Sequence, residues 1–130
     1  MKVYSTETIN IHKEITQMKF EEGSEFNKEF KKLKKKYKSL DEDLKLYKKI
    51  LTKSPKGIGR HTIELTANKN IVAIKSRLFC KYLKGDTLRM VYLYLEAEDK
   101  IIFIEIFYKG VKEREANTRI KKYLKITCLQ

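Results

Sequence analysis

The spacing of apolar residues changes from a helical to a strand period at Ser54-Pro55-Lys56-Gly57, so neither an all-helical nor an all-strand fold accommodates the chain. Proline cannot continue a helix and glycine permits the turn that follows. Before the break, Phe26, Phe30, Leu33 and Tyr37 recur at i, i+4, i+7 and i+11, one stripe of an amphipathic helix. Its other faces carry Lys28, Lys31, Lys32, Lys34, Lys35, Lys36 and Lys38. Ser24 stands where an N-cap belongs. Ser39-Leu40-Asp41-Glu42 reads as a capping box opening a second helix, with Glu42 reaching back to the Ser39 amide. Leu40, Leu44, Tyr47 and Leu51 form its stripe, and the acids of its first turn suit the helix dipole. Two helices so closely linked predict an antiparallel hairpin.

After the break the period is two. Thr62 to Leu65 predicts a short strand and Ile71 to Cys80 a longer one, with Val72, Ile74 and Leu78 on one face and Ala73, Lys75, Arg77 and Phe79 on the other. Lys84-Gly85-Asp86 is a turn signal. Thr87 to Leu95 then divides into Leu88, Met90, Tyr92 and Tyr94 against Arg89, Val91 and Leu93. A tight connection at Ala97 to Lys100 leads to Ile101 to Tyr108, whose apolar run IIFIEIFY predicts a strand at the centre of the sheet. Lys109-Gly110-Val111 leaves the sheet, and Glu113 to Lys125 predicts a last basic helix with a thin apolar face of Ala116, Ile120, Tyr123 and Leu124. Ile15 to Phe20 predicts a first short strand that ends at Glu21-Glu22-Gly23. The order is β-α-α-β-β-β-β-α, an α+β fold on a mainly antiparallel sheet. With 130 residues, no internal repeat and no linker, residues 1–130 make one domain, and 42% hydrophobic residues supply its core.

Charge narrows the function. Lys and Arg number 30 against 17 Asp and Glu, a net charge of +13 that predicts attraction to RNA, DNA, the ribosome or an acidic protein. No apolar run approaches the roughly 18 residues of a membrane span, and the first residues lack the apolar core of a secretory signal. A soluble, cytoplasmic protein is the expectation. Cys80 and Cys128 stand far apart, as do His12 and His61, so a zinc site is disfavoured and reduced, buried or half-buried thiols are expected. Gly57-Ile58-Gly59-Arg60 lacks the spacing of a phosphate loop, and neither a nucleophile elbow nor an HExxH motif is present. No cofactor and no metal are expected.

Basic residues inside strands stand out. Lys75 and Arg77 project from one sheet face, and a hairpin around Lys84-Gly85-Asp86 brings Arg89 beside them. Lys109, Lys112 and Arg114 add cations where the strand gives way to the last helix. The bland alternative is a wet face on which lysine and arginine stems cover apolar neighbours. The functional alternative is a phosphate-binding groove, since arginine forks match phosphate oxygens and lysine acts as a point charge. Tyr108, Tyr82 and Phe79 are candidates to stack bases.

Two basic helices followed by IKSRL (Ile74 to Leu78), LRMVYLY (Leu88 to Tyr94), KIIFIEIFYKGVKE (Lys100 to Glu113) and RIKKYL (Arg119 to Leu124) resemble the RelE/ParE toxin superfamily. The resemblance spans about Ile15 to Lys125 and is strongest from Ile71 onward. It implies the toxin of a type II toxin–antitoxin pair, neutralised by an acidic antitoxin in a hetero-oligomer. RelE-like members cleave mRNA on the ribosome without metal; ParE-like members poison DNA gyrase. By position, Lys75 and Arg77 match the strand lysines with acid–base and phosphate roles, and Arg89 matches the arginine that holds the scissile phosphate. Lys112 or Arg114 matches the basic residue before the last helix. Where the best-known members carry a stacking tyrosine, this chain reads Ala116-Asn117-Thr118. Residues 1–14 have no counterpart and form an extension. A basic RNA- or protein-binding module without catalysis is the third alternative.

The residues also suit RNA cleavage chemically. Attack by a 2′-hydroxyl needs a base, a cation facing the phosphorane and an acid for the leaving 5′-oxygen. Lys75 is the candidate base if neighbouring cations lower its pKa, with His61 the alternative, and Arg89 is the electrostatic stabiliser.

Overall fold

A computed structural model describes residues 18–128 of the chain except 58, 85 and 113. The elements follow the expected order: β1 (Lys19–Glu22), α1 (Ser24–Lys36), α2 (Leu40–Lys53), β2 (Thr62–Asn68), β3 (Ile71–Phe79), β4 (Thr87–Leu95), β5 (Lys100–Tyr108) and α3 (Asn117–Cys128). The predicted start of the first strand at residues 15–17, and the extension 1–14, lie outside the described residues. The five strands line up as β1-β5-β4-β3-β2, with β2, β3, β4 and β5 antiparallel in sequence and β1 parallel to β5. The central strand is therefore β4, not Ile101 to Tyr108. The apolar run of β5 is explained by pairing on both edges, because β1 covers the side that would otherwise be open.

Both helical stripes face the sheet. Phe26 and Tyr37 of the first, and Leu40, Leu44, Tyr47 and Leu51 of the second, are buried against Val72, Ile74, Leu78, Leu88, Met90 and Phe103. Phe103 is the hub of this layer, with Phe20 and Phe26 stacked on its ring and Tyr47 and Tyr92 tilted against it. The opposite face holds a smaller cluster of Ala73, Val91, Leu93, Leu95, Ile104 and Phe107, over which α3 lays Ile120.

Local expectations failed where tertiary contacts override them. Ser24 is the first helical residue, not the cap: Gly23 occupies that position in an extended conformation, because its amide donates to Phe103 O at 2.9 Å and prolongs the β1–β5 pairing. Ser39 is helical in backbone and makes no capping bond; its hydroxyl donates to Oδ2 of the buried Asp43 at 2.6 Å, while Glu42 stays exposed. The last helix begins at Asn117 and not at residue 113, because Ala116 is held by a side chain of β5 before the helix starts.

Candidate functional site

Strand register decides which cations meet. Arg77 and Arg89 are direct partners across β3 and β4, and Phe107 of β5 completes their row. One step along the same face lies the row Lys75, Val91 and Glu105. The expected convergence of Lys75, Arg77 and Arg89 on one sheet face is therefore built into the pairing. Arg77 is exposed and Arg89 half-buried. One nitrogen of the Arg89 guanidinium donates to Thr87 Oγ1 at 2.7 Å and to Thr87 O at 3.1 Å, which fixes the fork against its own strand. Burial first, and the neighbouring Arg77 charge second, push the Arg89 guanidinium down from its ordinary value.

Like charges directly opposed in a strand pair destabilise it. The acid nearest in effect is Asp86, which is otherwise engaged: it accepts from Thr87 N at 2.7 Å and from Tyr108 Oη at 2.9 Å. The Thr87 amide chiefly, then the Tyr108 hydroxyl and the Arg89 and Arg77 charges, hold its carboxyl below the ordinary range.

The remaining expected site residues divide. Lys75 Nζ donates to Glu115 Oε1 at 2.8 Å, so a carboxylate already occupies the candidate base. Lys112 Nζ pairs with the fully buried Glu105 and lies 5.6 Å from the centroid of the Phe107 ring. Lys109 and Arg114 are exposed on the connection between β5 and α3. Tyr108 is not on the cationic face: it alternates with Phe107, packs beside the helical layer and spends its hydroxyl on Asp86. Phe79 shares the face of Arg77 and is 63% exposed, and Tyr82 is 57% exposed, so both rings are open to stacking. His61 does not enter a strand; it sits in the short 3-10 turn Gly59–His61, edge-on to Phe79.

Glu105 and Glu115 had no role in the sequence-based expectation. Glu105 carried a signal, the lone charge in IIFIEIFY. Glu115 carried none, since its partner is 40 residues away. Beside the arginine row a groove of about 660 Å³ runs between α2 and the end of β3, lined by Leu46, Ile50, His61, Arg77 and Phe79 among others. Cys80 is a buried free thiol, raised above its ordinary value chiefly by that burial; the Cys128 side chain and all of His12 lie outside what the structure describes. Among the described residues no three His, Cys, Asp or Glu side chains form a metal-holding group, and no helix is long and apolar enough to cross a membrane.

No protein-family model matches the chain, and no curated protein sequence does. Among solved structures, the fold is similar to a chain of the archaeal RelE–RelB complex from Pyrococcus horikoshii OT3. The two are 17% identical, the match covers 71% of this chain and 94% of that one, and the TM-score is 0.55. The architecture is thus a RelE-like α+β fold, closed by a C-terminal helix.

Proposed function

We propose that this chain is the toxin of a type II toxin–antitoxin pair, and that it cleaves mRNA on the ribosome in the cytoplasm with its own side chains. The observation that carries the proposal is the Arg77–Arg89 cross-strand pair, two guanidiniums opposed on an open sheet face with no ion pair to either among the described residues. A phosphodiester between them turns a like-charge repulsion into two charge-assisted contacts, and arginine forks suit its oxygens. Arg89, fixed by Thr87, is suited to face charge developing on a phosphorane; Lys75 is suited to protonate the leaving 5′-oxygen, while the proton of the attacking 2′-hydroxyl passes to water. The net charge of +13 supports both a ribosomal RNA surface and an acidic antitoxin, and the fold neighbour comes from a RelE–RelB complex.

Inducible expression in a bacterium, with mRNA 5′ ends mapped by primer extension, tests this. New ends inside translated codons, absent with Arg89→Ala, are expected. Growth arrest with intact mRNA and broken DNA would move the chain to the gyrase poisons, and undiminished toxicity of Arg89→Ala would overturn the site.

A further inference from the structure

Among the lysine ion pairs of the described residues, Lys75–Glu115 is the one in which both side chains are less than a quarter exposed. The two side chains are only 22% and 14% exposed, whereas Lys34–Asp41 and Lys56–Glu96 lie in the open. Water screens a half-buried pair less than an exposed one. Its carboxylate comes from the connection between β5 and α3, and that connection is fastened a second time nearby. Glu105, wholly buried in the row of Lys75, accepts from Lys112 Nζ and, at 2.8 Å, from the Ala116 amide. The residues just before α3 are thereby drawn onto the cationic face, and the Glu115 carboxylate rests on one of its three strand cations. Among the described residues no carboxylate forms an ion pair with the Arg77–Arg89 row beside it, and Asp86 acts on that row only at longer range.

A carboxylate and a phosphodiester each offer an ammonium a negatively charged pair of oxygens, so they compete for the same donor. We propose that Glu115 is a positioning residue that gates Lys75: its carboxylate stands in for an RNA phosphate and yields only to a strand already held at Arg77 and Arg89. This rests on the reading of those two arginines as a phosphate site. The consequence is selectivity for polyanions. A lone anion bound at the arginine row leaves Lys75 capped, while a continuous phosphodiester chain brings a second phosphate alongside and exchanges with Glu115. When it does, Lys75 gains a phosphate contact and Glu115 is released into water.

The test is binding of a short fluorescein-labelled oligouridylate to the full chain, followed by anisotropy over a salt series. Glu115→Gln keeps the shape and removes the competing charge, so it is expected to bind about fivefold tighter near 0.15 M salt, with the salt slope unchanged because Lys75 meets a phosphate in both bound states. Glu115→Asp, which restores the charge, is expected to return towards the parent affinity. In a Lys75→Ala background the gain from Glu115→Gln is expected to vanish, because the gate then has nothing to guard. Equal affinity of the parent chain and Glu115→Gln would overturn the gate, and a steeper slope in the variant would show that Glu115 never yields to the strand. So would a gain that survives in full without Lys75, which would mark a general effect of charge. The double variant Arg77→Ala/Arg89→Ala separates the two readings. If it abolishes binding while Glu115→Gln changes nothing, the gate falls and the phosphate site stands; if it binds like the parent, both fall.

Discussion

Glu105 is the residue at which the interior of this sheet departs from an apolar core. A carboxylate in the middle of β5, without exposure, is tolerated because two donors reach it: Lys112 Nζ and the Ala116 amide. Stripping one partner from a fully buried ion pair costs about 3–5 kcal/mol, because the other charge is left stranded. Here the Lys112 side chain is 41% exposed and can turn to water, so the larger loss is the bond to Ala116. Glu105→Leu is therefore expected to destabilise by about 1–3 kcal/mol, the range for one orphaned donor, and not more. Urea denaturation checks it: the midpoint should fall with the slope unchanged. A cost near 5 kcal/mol would mean that Lys112 cannot escape to solvent.

At the scale of elements, α3 is attached to the body by the packing of Ile120 and by the polar contacts of Arg119. Its guanidinium donates to both carboxylate oxygens of Glu29 at 3.0 Å and to Ile104 O at 3.0 Å, and it lies 3.3 Å from Glu25, so one side chain ties α3 to α1 and β5. Lysine cannot reproduce that fork. Arg119→Lys is expected to cost about 1–3 kcal/mol, and the amides of α3 should lose hydrogen-exchange protection before those of the sheet. Protection lost uniformly would show that α3 does not open separately. This attachment also marks the boundary of what the sequence disclosed. The stripes of Phe26 to Tyr37 and Leu40 to Leu51, and the alternation of β3 and β4, were legible because burial imposes a period on neighbours in sequence. So was the shared face of Lys75, Arg77 and Arg89, which follows from alternation and one hairpin. The cap at Gly23, the central place of β4 and the carboxylate on Lys75 were not legible. Each depends on a contact between residues far apart in sequence: Gly23 with Phe103, β1 with β5, Glu115 with Lys75. Gly23 shows how such a contact selects a residue, since a Cβ there would meet Tyr123 Oη of α3 at 2.2 Å.

At the scale of the molecule, the unmatched charge and the arginine row make separable contributions to stability. A net charge of +13 on 130 residues repels itself in the folded state, and that repulsion weakens as salt screens it. Local pairs such as Lys34–Asp41 pull the other way, but exposed pairs contribute only about 0–1 kcal/mol each. The thermal midpoint is therefore expected to rise with added sodium chloride, followed by circular dichroism at 222 nm or by calorimetry. Sulfate at the same ionic strength should raise it further for two reasons. One is exclusion of sulfate from the protein surface, which any protein shares. The other is occupation of the Arg77–Arg89 row by a tetrahedral dianion, which stabilises only a fold that holds the two forks together. Arg77→Ala/Arg89→Ala removes the second and keeps the first, so the excess of sulfate over chloride should shrink in that variant without disappearing. An identical excess in both proteins would mean that the opposed arginines bind no anion, and the phosphate-site reading would lose the observation on which it stands.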